Sequence, residues 1–253
     1  MKVTIITACY NRAGTISNAI ESVLEQTYPD IEYIVVDGGS TDGTREIINK
    51  YRDHISKVIF KPDRGMYEGL NNGIREATGD LIALCHSDDR IYDKYTVERI
   101  VQELERHPEA GMVYANGIYV APESGKIVRI WKSEKVRPWL LRCGWLPLHT
   151  TCYVRREVYE RYGLYDESYR IAADTKFLFN ILYKHRIKAI FLPHFVVRMQ
   201  IGGASTDVNR QREMWKEDIR VFKEMGMRCP VVMKLMKMLW KPSQFIRGIF
   251  YRH

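Results

Sequence analysis

The chain has 253 residues, 45% of them hydrophobic, enough to bury a full core as one large α/β domain or two small ones. Its formal charge of +8 is local: Arg228, Lys234, Lys237, Lys241, Arg247 and Arg252 fall in residues 225–253, which hold no acid, and without them the body carries about +2. That distribution argues against a broad nucleic-acid-binding face, and the scattered Cys9, Cys85, Cys143, Cys152 and Cys229, with no Cys-x-x-Cys pair, argue against a disulfide framework or zinc site and for a reducing compartment.

Met1-Lys2 leads directly into a β-branched strand, Val3 to Ala8, followed by polar residues, which is not the pattern of a signal peptide. Asn11-Arg12-Ala13-Gly14 breaks the strand, and Ile16, Ala19, Ile20, Val23 and Leu24 then recur at helix spacing up to Tyr28-Pro29-Asp30. Ile31 to Asp37 is a second strand, and Gly38-Gly39-Ser40-Thr41-Asp42-Gly43-Thr44 opens a second helix reaching about Tyr51. Lys57 to Lys61 is a third short strand, and Asp63 to Ile74 a loop opening into a helix that ends near Thr78-Gly79. Strand, helix, strand, helix predicts a parallel sheet.

Leu81-Ile82-Ala83-Leu84 is a strand apolar throughout, as in a sheet covered on both faces, and it runs into His86-Ser87-Asp88-Asp89. Two adjacent carboxylates repel unless a cation or strong donors neutralise them; alternatively one of them caps the following helix. A helix from about Lys94 to Arg106, bounded by His107-Pro108, and a strand from Gly111 to Val120 come next. Periodicity then fades from Ala121 to Leu148, which reads as a long loop, functional or mobile. Thr150 to Val154 predicts a strand, Asp174 to Tyr183 a helix, Ile187 to Val197 a strand around Pro193, and Val208 to Met225 a helix.

Four loops therefore follow four strands: Cys9 to Arg12, Asp37 to Thr44, Asp63 to Asn71 and Ser87 to Asp89. In a parallel sheet they share one edge and form one pocket. Asp37 can accept hydrogen bonds from an imide or ribose, Tyr10 can stack on a base, and Asp88/Asp89 can carry a metal that neutralises a diphosphate. Neither a Gly-x-Gly-x-x-Gly after the first strand nor a P-loop signature occurs, so a metal-bridged nucleoside diphosphate fits better than a dinucleotide.

Thr7-Ala8-Cys9-Tyr10-Asn11-Arg12, Asp37 to Thr44, Asp63-Arg64-Gly65-Met66-Tyr67 with Asn71-Asn72-Gly73-Ile74, and Ser87-Asp88-Asp89 closely resemble, in order and spacing, the successive blocks of family 2 glycosyltransferases over roughly residues 3–205. The resemblance implies an α/β GT-A fold with a mixed Rossmann-like sheet flanked by helices, a nucleotide-diphosphate sugar donor, a divalent metal (Mg or Mn) and inversion at the anomeric carbon. It implies nucleotide-sugar contacts at Thr7, Tyr10, Arg12, Asp37, Arg64, Asn71 and Asp88, with Asp37 recognising the base, and ribose and metal held by Asp88 and Asp89. Many members begin the last motif with an acid where this chain carries His86, which leaves open which aspartate ligates the metal and whether His86 contacts ribose.

Gly163 to Glu167 followed by Ala172-Ala173-Asp174 resembles the segment whose final Asp is the family's catalytic base, although many members have Glu where Ala173 stands. A helix N-cap is the other reading of Asp174. His149, before a strand as in related sequences, is a candidate for contact with donor phosphate or acceptor, and Gly202-Gly203-Ala204-Ser205 for closing over the diphosphate or serving as a plain linker.

The expected division is a GT-A domain over 1–225 and a basic amphipathic tail over 226–253. In the tail Val232, Leu235, Met236, Leu239 and Trp240 form one stripe and Lys234, Lys237 and Lys241 another, a pattern suited to an anionic membrane surface or, alternatively, to a dimer or a helix packed on the body. No uninterrupted apolar stretch reaches membrane-spanning length. The expectation is a cytoplasmic enzyme, peripheral on the inner face of the membrane, that glycosylates a glycan or lipid-linked acceptor. The competing functions are a nucleotidyltransferase and a non-catalytic nucleotide-sugar-binding scaffold.

Overall fold

The computed structural model describes residues 1–122, 124–202 and 210–250. Strands β1 (Val3–Cys9), β2 (Ile31–Asp37), β3 (Lys57–Phe60) and β4 (Leu81–Leu84) are parallel, in the order β3-β2-β1-β4. Their register puts Cys9 opposite Asp37, Asp37 opposite Phe60 and Ile6 opposite Leu84. The loops following all four strands thus leave the same edge.

Beyond β4 the sheet is mixed. β8 (Tyr153–Arg155) runs antiparallel to β4 and to the long β6 (Met112–Val120), and β9 (Ala189–Gln200) runs parallel to β6. A two-residue β5 (Arg90–Ile91), with no periodic signal of its own, closes the far edge against β9. The stretch from Ala121 to Leu148 is not the long loop expected: it contains β7 (Ile127–Trp131), antiparallel to the upper part of β6, and a helical turn, α5 (Pro138–Arg142).

Alternate residues of β1 explain the two layers. Ile6 and Ala8 enter one core, Val3, Ile5 and Cys9 the other, as the period of two dictates. The second core is covered by α1 (Ile16–Leu24), α2 (Thr44–Lys50) and α4 (Thr96–Arg106), and buried Val97, Ile100, Val101 and Leu104 give α4 one apolar stripe. The first core is covered by α3 (Met66–Glu76), α6 (Arg156–Tyr162), α7 (Ala173–Phe179), which continues as a π-helical turn to Lys184, and α8 (Gln211–Glu224).

The tail is one helix, α9 (Pro230–Phe250), with Pro242 inside it, packed on β7 and α8. It is packed on the body, one of the alternatives the sequence offered, and its orientation is set by two lysines. Lys234 and Lys237 turn inward onto the buried carboxylate of Asp218 on α8, while Val231, Val232, Leu235 and Leu239 are exposed. No helix among the described residues is long and apolar enough to cross a membrane.

Candidate active site

A cavity of about 720 Å³ opens at the edge where β1 to β4 end. Its walls include Tyr10 and Arg12 after β1, Gly38 and Gly39 after β2, Asp63 to Tyr67 after β3, and His86 to Asp89 after β4, together with His149, Asp174 and Arg210. Tyr10 is 59% exposed, a free aromatic face at the rim. Arg12 forms no ion pair among the described residues, whereas Arg64 at the mouth is held by Glu68 at 2.8 Å and Glu167 at 2.9 Å.

Two of the expected ligand contacts do not reach this cavity. Thr7 is fully buried, its hydroxyl 2.7 Å from the Cys85 carbonyl and 3.0 Å from Tyr33 Oη, so it staples β1 to β4 and β2. Asn71 donates to the Tyr165 carbonyl and Glu167 and accepts from the Tyr165 N–H, tying α3 to the loop before α7. Both side chains are consumed by the scaffold, which a motif comparison does not distinguish from ligand contact.

Asp37 is likewise turned into its own loop. Its Oδ1 accepts from Gly39 N–H (3.1 Å), Ser40 N–H (3.0 Å) and Arg45 Nε (2.8 Å). Burial alone raises its carboxyl, but the bonds from Ser40 and Arg45 more than compensate and hold it below the ordinary value. The carboxylate that lines the cavity beside this loop is Asp63. Gly38 and Gly69 make room for it: a Cβ on either would lie 2.5 or 2.8 Å from Asp63 Oδ2. Burial raises the Asp63 carboxyl against a hydrogen bond from Gly65 N–H.

After β4 the two aspartates differ. Asp88 is half-buried, whereas Asp89 is 2% exposed and its Oδ2 has no hydrogen-bond partner. Burial, with Asp88 beside it, pushes the Asp89 carboxyl well above the carboxylate range. An orphaned buried oxygen next to a second carboxylate is a hard-oxygen donor set that fits a divalent cation. Among the described residues no cluster of three or more His, Cys, Asp or Glu surrounds them, so further ligands would have to come from substrate or water.

Asp174 lies in the first turn of α7, where the helix dipole favours its charge; Ala172 is the N-cap, so the capping alternative does not hold. Its Oδ2 accepts from His149 Nδ1 at 3.0 Å, and Tyr67 Oη lies 3.0 Å from Oδ1 and 2.5 Å from the Ile171 carbonyl. Burial favours the acid, yet the His149 interaction, with Lys237 further off, holds Asp174 at about 2. The neighbouring Ala173 is fully buried. His149 Nε2 meets His86 Nε2 at 2.9 Å. His149 gives its Nδ1–H to Asp174, and its Nε2 shares a hydrogen bond with His86. Burial, reinforced by His149, lowers His86 to about 4 and keeps it neutral for that role.

The family model for glycosyl transferase family 2 matches residues 4–163, more than half of the sequence. The chain belongs to glycosyl transferase family 2. Among its relatives in that family, an uncharacterized glycosyltransferase of Nostoc sp. is 35% identical over 117 residues, 45% of this chain and 36% of that protein. The PGL/p-HBAD biosynthesis glycosyltransferase of Mycobacterium bovis is 26% identical over 182 residues, 69% of this chain and 67% of the other. The chain thus spans about a third of the first relative and about two thirds of the second. A mannosyltransferase from Pyrobaculum calidifontis, solved with GDP-Man and Mn²⁺, superposes with a TM-score of 0.69 at 19% identity, over 98% of this chain and 74% of that one. The shared architecture is the GT-A fold.

Within this family 2 site, motif reading had not singled out Asp63 or Tyr67, although both stand in the quoted Asp63-Arg64-Gly65-Met66-Tyr67 block. The available signal was the pair of glycines that leave Asp63 its space. Gly202 borders the glycine-rich segment expected to close over a diphosphate; Gly203, Ala204 and Ser205 lie outside the described residues.

Proposed function

We propose that the protein is an inverting, metal-dependent glycosyltransferase that moves a sugar from a nucleotide-diphosphate sugar to a hydroxyl of a glycan or lipid-linked acceptor. The observation that carries the reading is that Asp88/Asp89 and Asp174, the latter held by His149, line one cavity. Tyr10 would stack on the base and Asp63 accept from its imide N–H, with Asp37 shaping the loop between them. Arg12, without an ion pair among the described residues, would face the diphosphate.

In the transfer, Asp174 accepts the proton of the acceptor hydroxyl as that oxygen bonds to C1 and the C1–O bond to the diphosphate breaks. Attack opposite the departing group inverts C1. Asp174 is ionised at neutral pH, and His149 fixes its orientation. Asp88 and Asp89 would hold the divalent cation, which supplies charge stabilisation to the leaving diphosphate. The Mn²⁺ and GDP-Man bound to the Pyrobaculum calidifontis enzyme support both donor class and metal.

A peripheral position on the inner face of the cell membrane belongs to the same proposal. Its support is the outward apolar face of α9 at Val231, Val232, Leu235 and Leu239, since Lys234 and Lys237 are engaged inside.

The test is a thermal-shift screen of UDP-, GDP-, dTDP- and CDP-sugars with and without Mn²⁺, combined with turnover of Asp174→Asn. A metal-dependent rise in Tm with one nucleotide class, abolished in Asp88→Ala, is expected. Asp174→Asn should keep that shift and lose turnover by about 10²- to 10⁴-fold. Wild-type turnover by Asp174→Asn would remove the base assignment.

A further inference from the structure

A second cavity, of about 130 Å³, lies between α9 and the end of β7, and it meets the first at His149, Ile171 and Asp174, which line both. Its chemistry differs from that of the donor side. Arg129 on β7 is 7% exposed, and its guanidinium lies between aromatic faces, 4.6 Å from the Tyr119 centroid, 5.1 Å from Trp131 and 5.4 Å from Phe245. Its Nε and one terminal nitrogen donate to the neutral Gln244 Oε1, at 2.7 and 2.5 Å. Among the described residues it has no carboxylate partner.

A buried guanidinium without a counter-charge is costly, and side chains of this kind are ordinarily paired. Burial accordingly lowers the Arg129 pKa. The remaining donors of the cavity point the same way. The buried indole N–H of Trp131 has no partner among the described residues. Lys234 and Lys237 share the single carboxylate of Asp218, leaving one positive charge in excess on the α9 wall. Among the described residues that line the cavity, Arg129, Lys234 and Lys237 face only the carboxylates of Asp218 and Asp174, so one positive charge is in excess.

We infer that the cavity beneath α9 is the acceptor site and that it takes an anionic acceptor, whose phosphate or carboxylate is bound by Arg129 and Trp131 Nε1 with Lys237 nearby, leaving its nucleophilic hydroxyl at Asp174. The inference rests on the glycosyltransferase reading above. It narrows the acceptor to molecules that pair an anion with a sugar face or aliphatic chain able to contact Trp131, Trp145 and Trp240, all of which line the cavity. The anion could be the diphosphate of a lipid-linked sugar or the carboxylate of a uronic acid.

The test uses the full chain, with the most stabilising nucleotide saturating the donor cavity, and measures calorimetric affinity for three probes: farnesyl-diphosphate-linked N-acetylglucosamine, a glucuronate-terminated disaccharide and its neutral glucose-terminated counterpart. At least one anionic probe is expected to bind tenfold or more tightly than the neutral one, and the tighter of the two names the source of the anion. Arg129→Met should lose that tenfold preference while its affinity for nucleotide stays at the wild-type value. If Arg129→Met does not fold, Lys237→Met, whose removal leaves Lys234 on Asp218, carries the test through a several-fold loss of the same preference. Equal affinity for anionic and neutral probes, binding of neither anion, or a full preference retained in a folded variant would overturn the inference while leaving the donor reading intact. A wild-type protein that binds no nucleotide would overturn both.

Discussion

His149 Nδ1 stands 3.0 Å from Asp174 Oδ2, and the same imidazole meets His86 Nε2 at 2.9 Å. The residue after β4 that departs from the family motif therefore touches the residue that positions the proposed base. An acid at position 86 would accept from His149; here an imidazole takes that place, so the orientation of the proposed base is coupled through two rings to the loop that carries Asp88 and Asp89.

Removing His149 should shift the acid limb of the rate profile. Burial favours protonated Asp174 and His149 opposes it, holding the carboxyl at about 2. In His149→Ala the carboxyl rises, so kcat/KM should begin to fall at a higher pH as acidity increases, with a loss of about 10- to 100-fold at neutral pH from misorientation. His149→Asn, which can restore an N–H near the Nδ1 position, should recover part of the loss. A pH–rate series on the three proteins checks both; an unmoved acid limb in the alanine variant would contradict the role.

Gly38→Ala should be rescued by a change at Asp63. The new Cβ would lie 2.5 Å from Asp63 Oδ2, and displacing that carboxylate from between Gly38 and Gly69 should cost about 1–3 kcal/mol. Asp63→Ala removes the obstruction, so the double variant should be more stable than Gly38→Ala alone. Urea unfolding of the four proteins measures the coupling, and additive effects would show that the contact carries no strain.

Asn71→Ala should separate scaffold from ligand contact. It strands the N–H and carbonyl of Tyr165, costing about 1–3 kcal/mol. Nucleotide affinity of the folded protein should match the wild type. A large loss of affinity at unchanged stability would return Asn71 to the ligand shell.

Asp218→Asn should loosen α9. It leaves the inward ammonium groups of Lys234 and Lys237 without their carboxylate, at a cost of about 3–5 kcal/mol. Burial raises the Asp218 carboxyl, but Lys237 and Lys234 hold it below the ordinary value near 3.8. The stabilisation is therefore present above that value and lost as pH falls through the depressed one. The variant should lack this acid-dependent component, which unfolding measurements from pH 3 to 7 would show as a flatter acid limb.

The parallel half of the fold and the order of its loops were legible because they rest on local signals: apolar runs of strand length, glycine-rich breaks, and helix spacing in Ile16 to Val23 and Val97 to Leu104. The stretch from Ala121 to Leu148 was misread because the prolines and glycines spaced through it mask a short local signal, the β-branched and aromatic Ile127-Val128-Arg129-Ile130-Trp131, which becomes a strand through its pairing with β6. Two-residue β5, a strand only through its pairing with β9, was invisible.

Residue types and spacing by themselves determined the chemistry of the donor edge: four strand ends, an aromatic, a free arginine and paired carboxylates brought together by a parallel register. Only the tertiary structure decided which of those side chains face the cavity. It turned Thr7, Asn71 and Asp37 into scaffold, placed Asp63 between two glycines, joined His86 to His149, and directed Lys234 and Lys237 inward. The physical reason is that a helix with an apolar and a basic stripe has two faces it could bury. The choice is made by a carboxylate 16 residues earlier than Lys234, Asp218, buried on another helix.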